Sequence, residues 1–178
     1  MQNNNERMVF VINQSAILGL IQVFFLVVLY FSGKLFSNWD NISYLISIAF
    51  VYWSSIKYRD KFFEGFIRYG KAFNYGLKIM VLSGIIIGFF YFIMLKLDSE
   101  TSQEQIYTML EVSQQIGYPD SQLEYMETAL LKYYPWMMFF GTVFSCFLSG
   151  LLVSLLTSIF VKRHEDPFQE AMKELNEN

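Results

Sequence analysis

Between Trp136 and Val161 the chain runs for 26 residues without one charged side chain. As a helix that run is about 39 Å long at 1.5 Å per residue, more than the roughly 30 Å hydrocarbon core of a bilayer. A chain of 178 residues builds no soluble core that could hide it, so the segment asks for lipid. Three more stretches behave alike. Val9–Phe31 has polar groups at Asn13, Gln14, Ser15 and Gln22. Trp39–Ile56 holds only hydroxyls as polar groups once past Asn41, and Tyr75–Leu95 carries Lys78 near its start. Only 16% of the residues are charged, against about 25% in a soluble domain. Nineteen Phe and nine Met add apolar volume that a small core cannot take in. One Cys closes no bridge within its own chain. The fold class expected is therefore all-α: a single polytopic membrane domain, 1–178, with four transmembrane helices near 9–31, 39–56, 75–95 and 136–161. The first should stay uncleaved, because Met1–Arg7 holds one Arg against one Glu and no small-x-small site follows Phe31.

Lysine and arginine set the orientation. With both termini inside, the inner segments hold Arg7, Lys57, Arg59, Lys61, Arg68, Lys71, Lys78, Lys162, Arg163 and Lys173. The outer ones hold Lys34, Lys96 and Lys132. That asymmetry predicts an N-in, C-in topology.

The connections differ in kind. Ser32–Asn38 is a short outer turn, with Gly33 and Ser37-Asn38 as turn formers and Trp39 as an interfacial anchor. The inner stretch 57–74 interleaves Lys57, Arg59, Lys61, Arg68 and Lys71 with aromatic rings. Such a pattern suits a segment lying in the headgroup plane, turning at Gly65 and Gly70, with rings in the acyl boundary and cations at phosphates. The bland alternative is a positive-inside loop with aromatic-belt residues. Arg59, Lys61, Arg68 and Lys71 are the candidate residues for binding a lipid headgroup or a partner. The outer stretch 96–135 is acidic and reads as a helical extracytoplasmic hairpin between helices three and four. Thr101-x-x-Glu104 and Ser121-x-x-Glu124 match the capping box, and Gly117-Tyr118-Pro119-Asp120 makes the turn between them. Its acids read as a solvated face. The tail, 162–178, opens on Lys162-Arg163-His164 and becomes acidic.

Small residues at four-residue spacing let helices approach closely in lipid. Gly76, Gly84 and Gly88 share one stripe of the third helix. The fourth carries two ladders, Gly141/Ser145/Ser149 and Gly150/Ser154/Ser158. Packing within the bundle is their ordinary meaning, and homodimerisation through these helices is the alternative. Chemistry finds little footing. The one histidine, His164, has no companions for a metal. Cys146 sits mid-helix among apolar residues and reads as a small hydrophobe. No phosphate-cradling loop or nucleophile elbow is present, so no catalytic residue, metal or cofactor is expected, and no nucleic-acid partner.

The runs Ile56-Lys57-Tyr58-Arg59-Asp60-Lys61 and Gly65-Phe66-Ile67-Arg68-Tyr69-Gly70-Lys71-Ala72-Phe73, with Gly76, carry a resemblance. The second is similar to the stretch G-F/Y-I-x-F-G-x-A-F-x-x-G that leads into the third helix of the domain-of-unknown-function family 4199, integral membrane proteins found chiefly in Bacteroidetes. The likeness extends over the whole chain: four helices, a long outer loop with a turn like Tyr118-Pro119-Asp120, and a last helix ending in a basic pair, here Lys162-Arg163. Tyr69 stands where that pattern has Phe. The resemblance implies a multi-pass protein of the bacterial inner membrane with no assigned activity, and a membrane-associated glycosyltransferase or another membrane protein as partner. The expected function is that of a non-enzymatic accessory or scaffold subunit whose basic aromatic loop binds a partner or anionic lipid headgroups. The alternative is a small transporter or lipid-handling protein with a polar path along Gln22, Asn13 and the serines of the fourth helix.

Overall fold

The computed structural model describes residues 4–36 and 42–163. Five helices account for nearly all of them: α1 (Asn4–Phe31), α2 (Ile42–Phe62), α3 (Tyr69–Leu97), α4 (Ser99–Gln115) and α5 (Asp120–Val161). Three of these, α1, α3 and α5, are long and apolar enough to cross a membrane, with mean hydropathies of 2.1, 2.2 and 2.1. Helix α2 has 21 residues, but four serines and the charges from Lys57 onward keep it short of that apolarity. Ser37-Asn38, Trp39 and the tail with His164 lie outside the described residues.

Helix α3 is the axis of the bundle and packs most extensively on α5, then on α1. Its seam with α5 is close because each helix presents glycine to the other. A Cβ on Gly84 would lie 2.6 Å from Cβ of Cys146, and one on Gly150 would lie 2.7 Å from Cβ of Met80. Gly76 meets Ser154 and Gly88 meets the Phe139 carbonyl in the same way. On the outer faces the apolar side chains turn away from the bundle: Phe24, Phe140, Leu152 and Phe160 are all more than half exposed. Water would not tolerate so broad an apolar surface, whereas acyl chains would. The helices thus have the character of a membrane protein.

Several boundaries differ from expectation. The inner stretch is no long loop: α2 runs to Phe62 and α3 begins at Tyr69, which leaves six linking residues. Glu64 and Gly65 make the turn with φ of 51° and 89°, while Gly70 is helical. Helix formation follows backbone continuity and packing rather than hydropathy, and Lys and Arg extend a helix readily. At the other end α5 does not start after Pro135 but passes through it from Asp120, 42 residues in all. Proline in a helix interior costs about 3 kcal/mol, and here Leu130 and Tyr134 are buried just before it against Leu95 and Ile106. The second arm of the outer hairpin and the last span are therefore one rod, about 63 Å long. The cap of α4 is not Thr101. Asp98 ends α3 and caps α4, its carboxylate accepting from the Thr101 amide at 3.0 Å and from the Thr101 hydroxyl at 2.6 Å. Nor does Ser121 cap α5, whose N-cap position is Pro119 with no side-chain hydrogen bond.

Candidate functional site

The folding of α1, α2, α3 and α5 gathers their basic termini at one end of the bundle. An antiparallel bridge between Ile67 and Arg163 ties the α2–α3 link to the end of α5, with the Arg163 amide donating to the Ile67 carbonyl at 3.2 Å. Aromatic rings form the floor. Tyr58 and Tyr75 stack with centroids 3.9 Å apart, and Phe10 adds rings against Tyr58, Tyr75 and Phe62. Over this floor lies a hollow of about 370 Å³. Arg7 and Val11 line it from α1, Tyr58 from α2 and Phe63 from the link. From α3 come Lys71, Asn74, Tyr75 and Lys78, whose spacing of i, i+3, i+4 and i+7 puts them on one face. Arg7 and Lys71 each lie over the Phe63 ring, 4.8 Å from its centroid. No carboxylate lines the hollow among the described residues. The Nε–H of Arg7 is shut off from solvent and meets no acceptor among the described residues.

The four cations expected to act together are not together. Lys71 lines the hollow. Lys61 lies elsewhere, its ammonium 5.2 Å from the Phe10 ring centroid, beside a second hollow that Asn13 and Glu6 share. Arg68 sits exposed at the N-cap position of α3. Arg59 is buried: its Nε donates to Asp60 at 2.8 Å and its Nη1 to the Val161 carbonyl at 3.4 Å, so it serves the C-terminus of α5. A buried, engaged guanidinium is not a surface for a ligand. Arg7 and Lys78 take places that sequence reasoning does not assign. The stripe Lys71-Asn74-Tyr75-Lys78 can be found from its helical spacing. Arg7 cannot, because only tertiary packing lays α1 beside α3.

A second concavity, of about 300 Å³, lies between α2 and α5 at the level of Gln22. Gln22 donates to the Ser47 hydroxyl and to the Ser43 carbonyl at 3.3 Å. Across from it stand Gly141, Thr142, Ser145 and Ser149. Tyr44 and Ser145 hydroxyls approach to 3.5 Å. The two ladders of α5 thus part company. Gly150 and Ser154 are buried against α3. A Cβ on Gly141 would meet nothing within 4 Å, and Gly141, Ser145 and Ser149 border open space. The packing role expected of those last three is corrected accordingly.

The family model described as Protein of unknown function (DUF4199) matches residues 15–163. The chain belongs to that family. No curated protein and no solved structure matches it. The matched DUF4199 region contains α2, α3, α4, α5 and most of α1, and so every lining residue of the hollow except Arg7 and Val11.

Proposed function

We propose that this DUF4199 chain is a non-enzymatic accessory subunit of the bacterial inner membrane that binds anionic lipid headgroups at its basic end. In this reading α2 is a fourth span beside α1, α3 and the C-terminal part of α5, with both termini cytosolic and the α4 hairpin outside. The observation that carries it is the hollow on which Arg7, Lys71 and Lys78 converge, lined by no carboxylate among the described residues. The sign of the two ends supports the orientation: nine of the twelve described Lys and Arg lie at the basic end, the side that faces an anionic cytosolic leaflet. A larger membrane protein, such as the glycosyltransferase the family resemblance implies, is the partner it would serve. The test is thermal stability in nanodiscs of neutral lipid, with and without an anionic diester lipid. Anionic lipid should raise the melting temperature, and Arg7→Gln/Lys71→Gln/Lys78→Gln should remove most of that rise. A melting temperature indifferent to lipid charge in the unaltered chain would refute the reading.

One observation favours a second reading, a lipid-handling or small transport protein. The cleft between α2 and α5 is lined by Gln22, Ser145 and Ser149, although Asn13 lies apart from it. Filling it with Ser145→Leu/Ser149→Leu should then abolish any lipid movement between leaflets in proteoliposomes, and leave headgroup binding at the basic end intact.

A further inference from the structure

The hollow at the basic end is more than a patch of positive charge. Its cations come from two different helices and are set at two depths. Lys71 lies in the first turn of α3, and Lys78 is two turns further on, about 10 Å along the axis. A lysine that far into a span is costly unless it reaches water or an anion. Arg7 adds the planar donor fork that matches phosphate oxygens. The Phe63 ring under Arg7 and Lys71 holds both cations in place, but a quadrupole leaves their charge uncompensated.

We propose that the hollow bounded by Arg7, Lys71 and Lys78 is a receptor for a phosphate monoester dianion, presented as the headgroup of a membrane lipid. This rests on the reading that the basic end meets anionic lipid, and it names the class. Charge decides between the phosphate types. A phosphodiester brings one negative charge to three cations, whereas a monoester brings about −1.5 to −2 at pH 7 because its second pKa is near 6. Three cations around it favour the dianion further. A monoester also leaves three oxygens free to accept, which between them can take the Arg7 fork and both lysines, since each oxygen accepts more than one hydrogen bond. The depth of Lys78 favours a lipid over a soluble phosphate, since the ligand must reach below the level of Lys71 while its tail stays in the hydrocarbon.

The experiment is native mass spectrometry of the full chain in detergent, titrated with phosphatidic acid, with phosphatidylglycerol of the same acyl chains, and with phosphatidylcholine. Phosphatidic acid should bind at least about tenfold more tightly than phosphatidylglycerol, the worth of one further charge-assisted hydrogen bond. Arg7→Gln/Lys71→Gln should bring the two within about twofold, the residue of non-specific charge attraction, and Lys78→Arg should keep the preference. Lys71→Gln alone, at an exposed first-turn position, reduces the preference without threatening the fold. Equal binding of the two anionic lipids by the unaltered chain overturns the monoester site and leaves the anionic-lipid reading standing. Binding of neither above phosphatidylcholine overturns both. Displacement of phosphatidic acid by millimolar inorganic phosphate keeps the monoester chemistry and overturns the lipid source.

Discussion

The two ends of the bundle treat charge in opposite ways. At the acidic end Asp98 is fully engaged: its carboxylate accepts from the Tyr30 hydroxyl at 2.6 Å and from the amide and hydroxyl of Thr101. That carboxylate joins α3 to α4 and pins the joint to the last turns of α1. At the basic end one cation, Arg59, does comparable work for α5. Arg7, Lys71 and Lys78 line a hollow that contains no carboxylate among the described residues. The lesson concerns what charge is for. Where a charged side chain closes a helix end it belongs to the fold, and where several converge without a counter-ion they are left for something outside the chain.

That contrast can be broken from either side. The largest effect is expected from Arg59→Ala, which leaves the Val161 carbonyl buried and unpaired. About 1–3 kcal/mol of stability should be lost, read as a lower midpoint in denaturation from mixed micelles. A neutral result would mean that Arg59 is no different from its neighbours. Next comes Asp98→Ala, which removes a helix cap and the tie to Tyr30. A loss of about 1 kcal/mol is expected, and Asp98→Asn should recover most of the cap. A smaller, graded effect should follow from pH. Hydrogen bonds from the Thr101 side chain, then from Tyr30, hold the Asp98 carboxyl at about 2, below its ordinary 3.8. A depressed folded value stabilises the ionised native state, so the contribution is complete above about pH 4 and disappears as pH falls through 2. The melting temperature of the unaltered chain should converge on that of Asp98→Asn over that window, and parallel curves would contradict the assignment. The smallest effect belongs to Lys61→Gln, which should change stability by no more than about 0.5 kcal/mol, since its exposed ammonium rests on the Phe10 and Phe62 rings.

Much of this architecture is legible in the residues. The apolar runs mark α1, α3 and the last two thirds of α5, because a spanning helix must satisfy its backbone internally and be apolar outside. Gly117 at φ 97° turns the chain where Gly117-Tyr118-Pro119 predicts a turn. The four-residue ladders are visible too, yet spacing says only that small residues share a face. Which face meets a helix is a tertiary fact, so Gly150 and Ser154 pack while Gly141 and Ser145 border the cleft. The inner stretch misleads because charge lowers hydropathy without breaking a helix. Lys57–Lys61 therefore resembles a loop while forming the last turns of α2. Arg59 is misplaced for a similar reason: a charged residue is assigned to solvent unless the carbonyl that receives it is known, and that carbonyl lies 102 residues away in sequence. The cap at Asp98 is hidden by a rival pattern three residues later.

The uncommitted cations of the basic end are best tested by what they retain in the cell membrane. The full chain should be extracted in a mild detergent from native membranes, and its bound phospholipids quantified against the bulk membrane. If Arg7, Lys71 and Lys78 bind phosphate headgroups, the unaltered chain carries anionic lipid well above its bulk fraction, and Arg7→Gln/Lys71→Gln/Lys78→Gln carries lipid in bulk proportions. Bulk proportions on the unaltered chain, or the same enrichment on the folded triple variant, would contradict the claim.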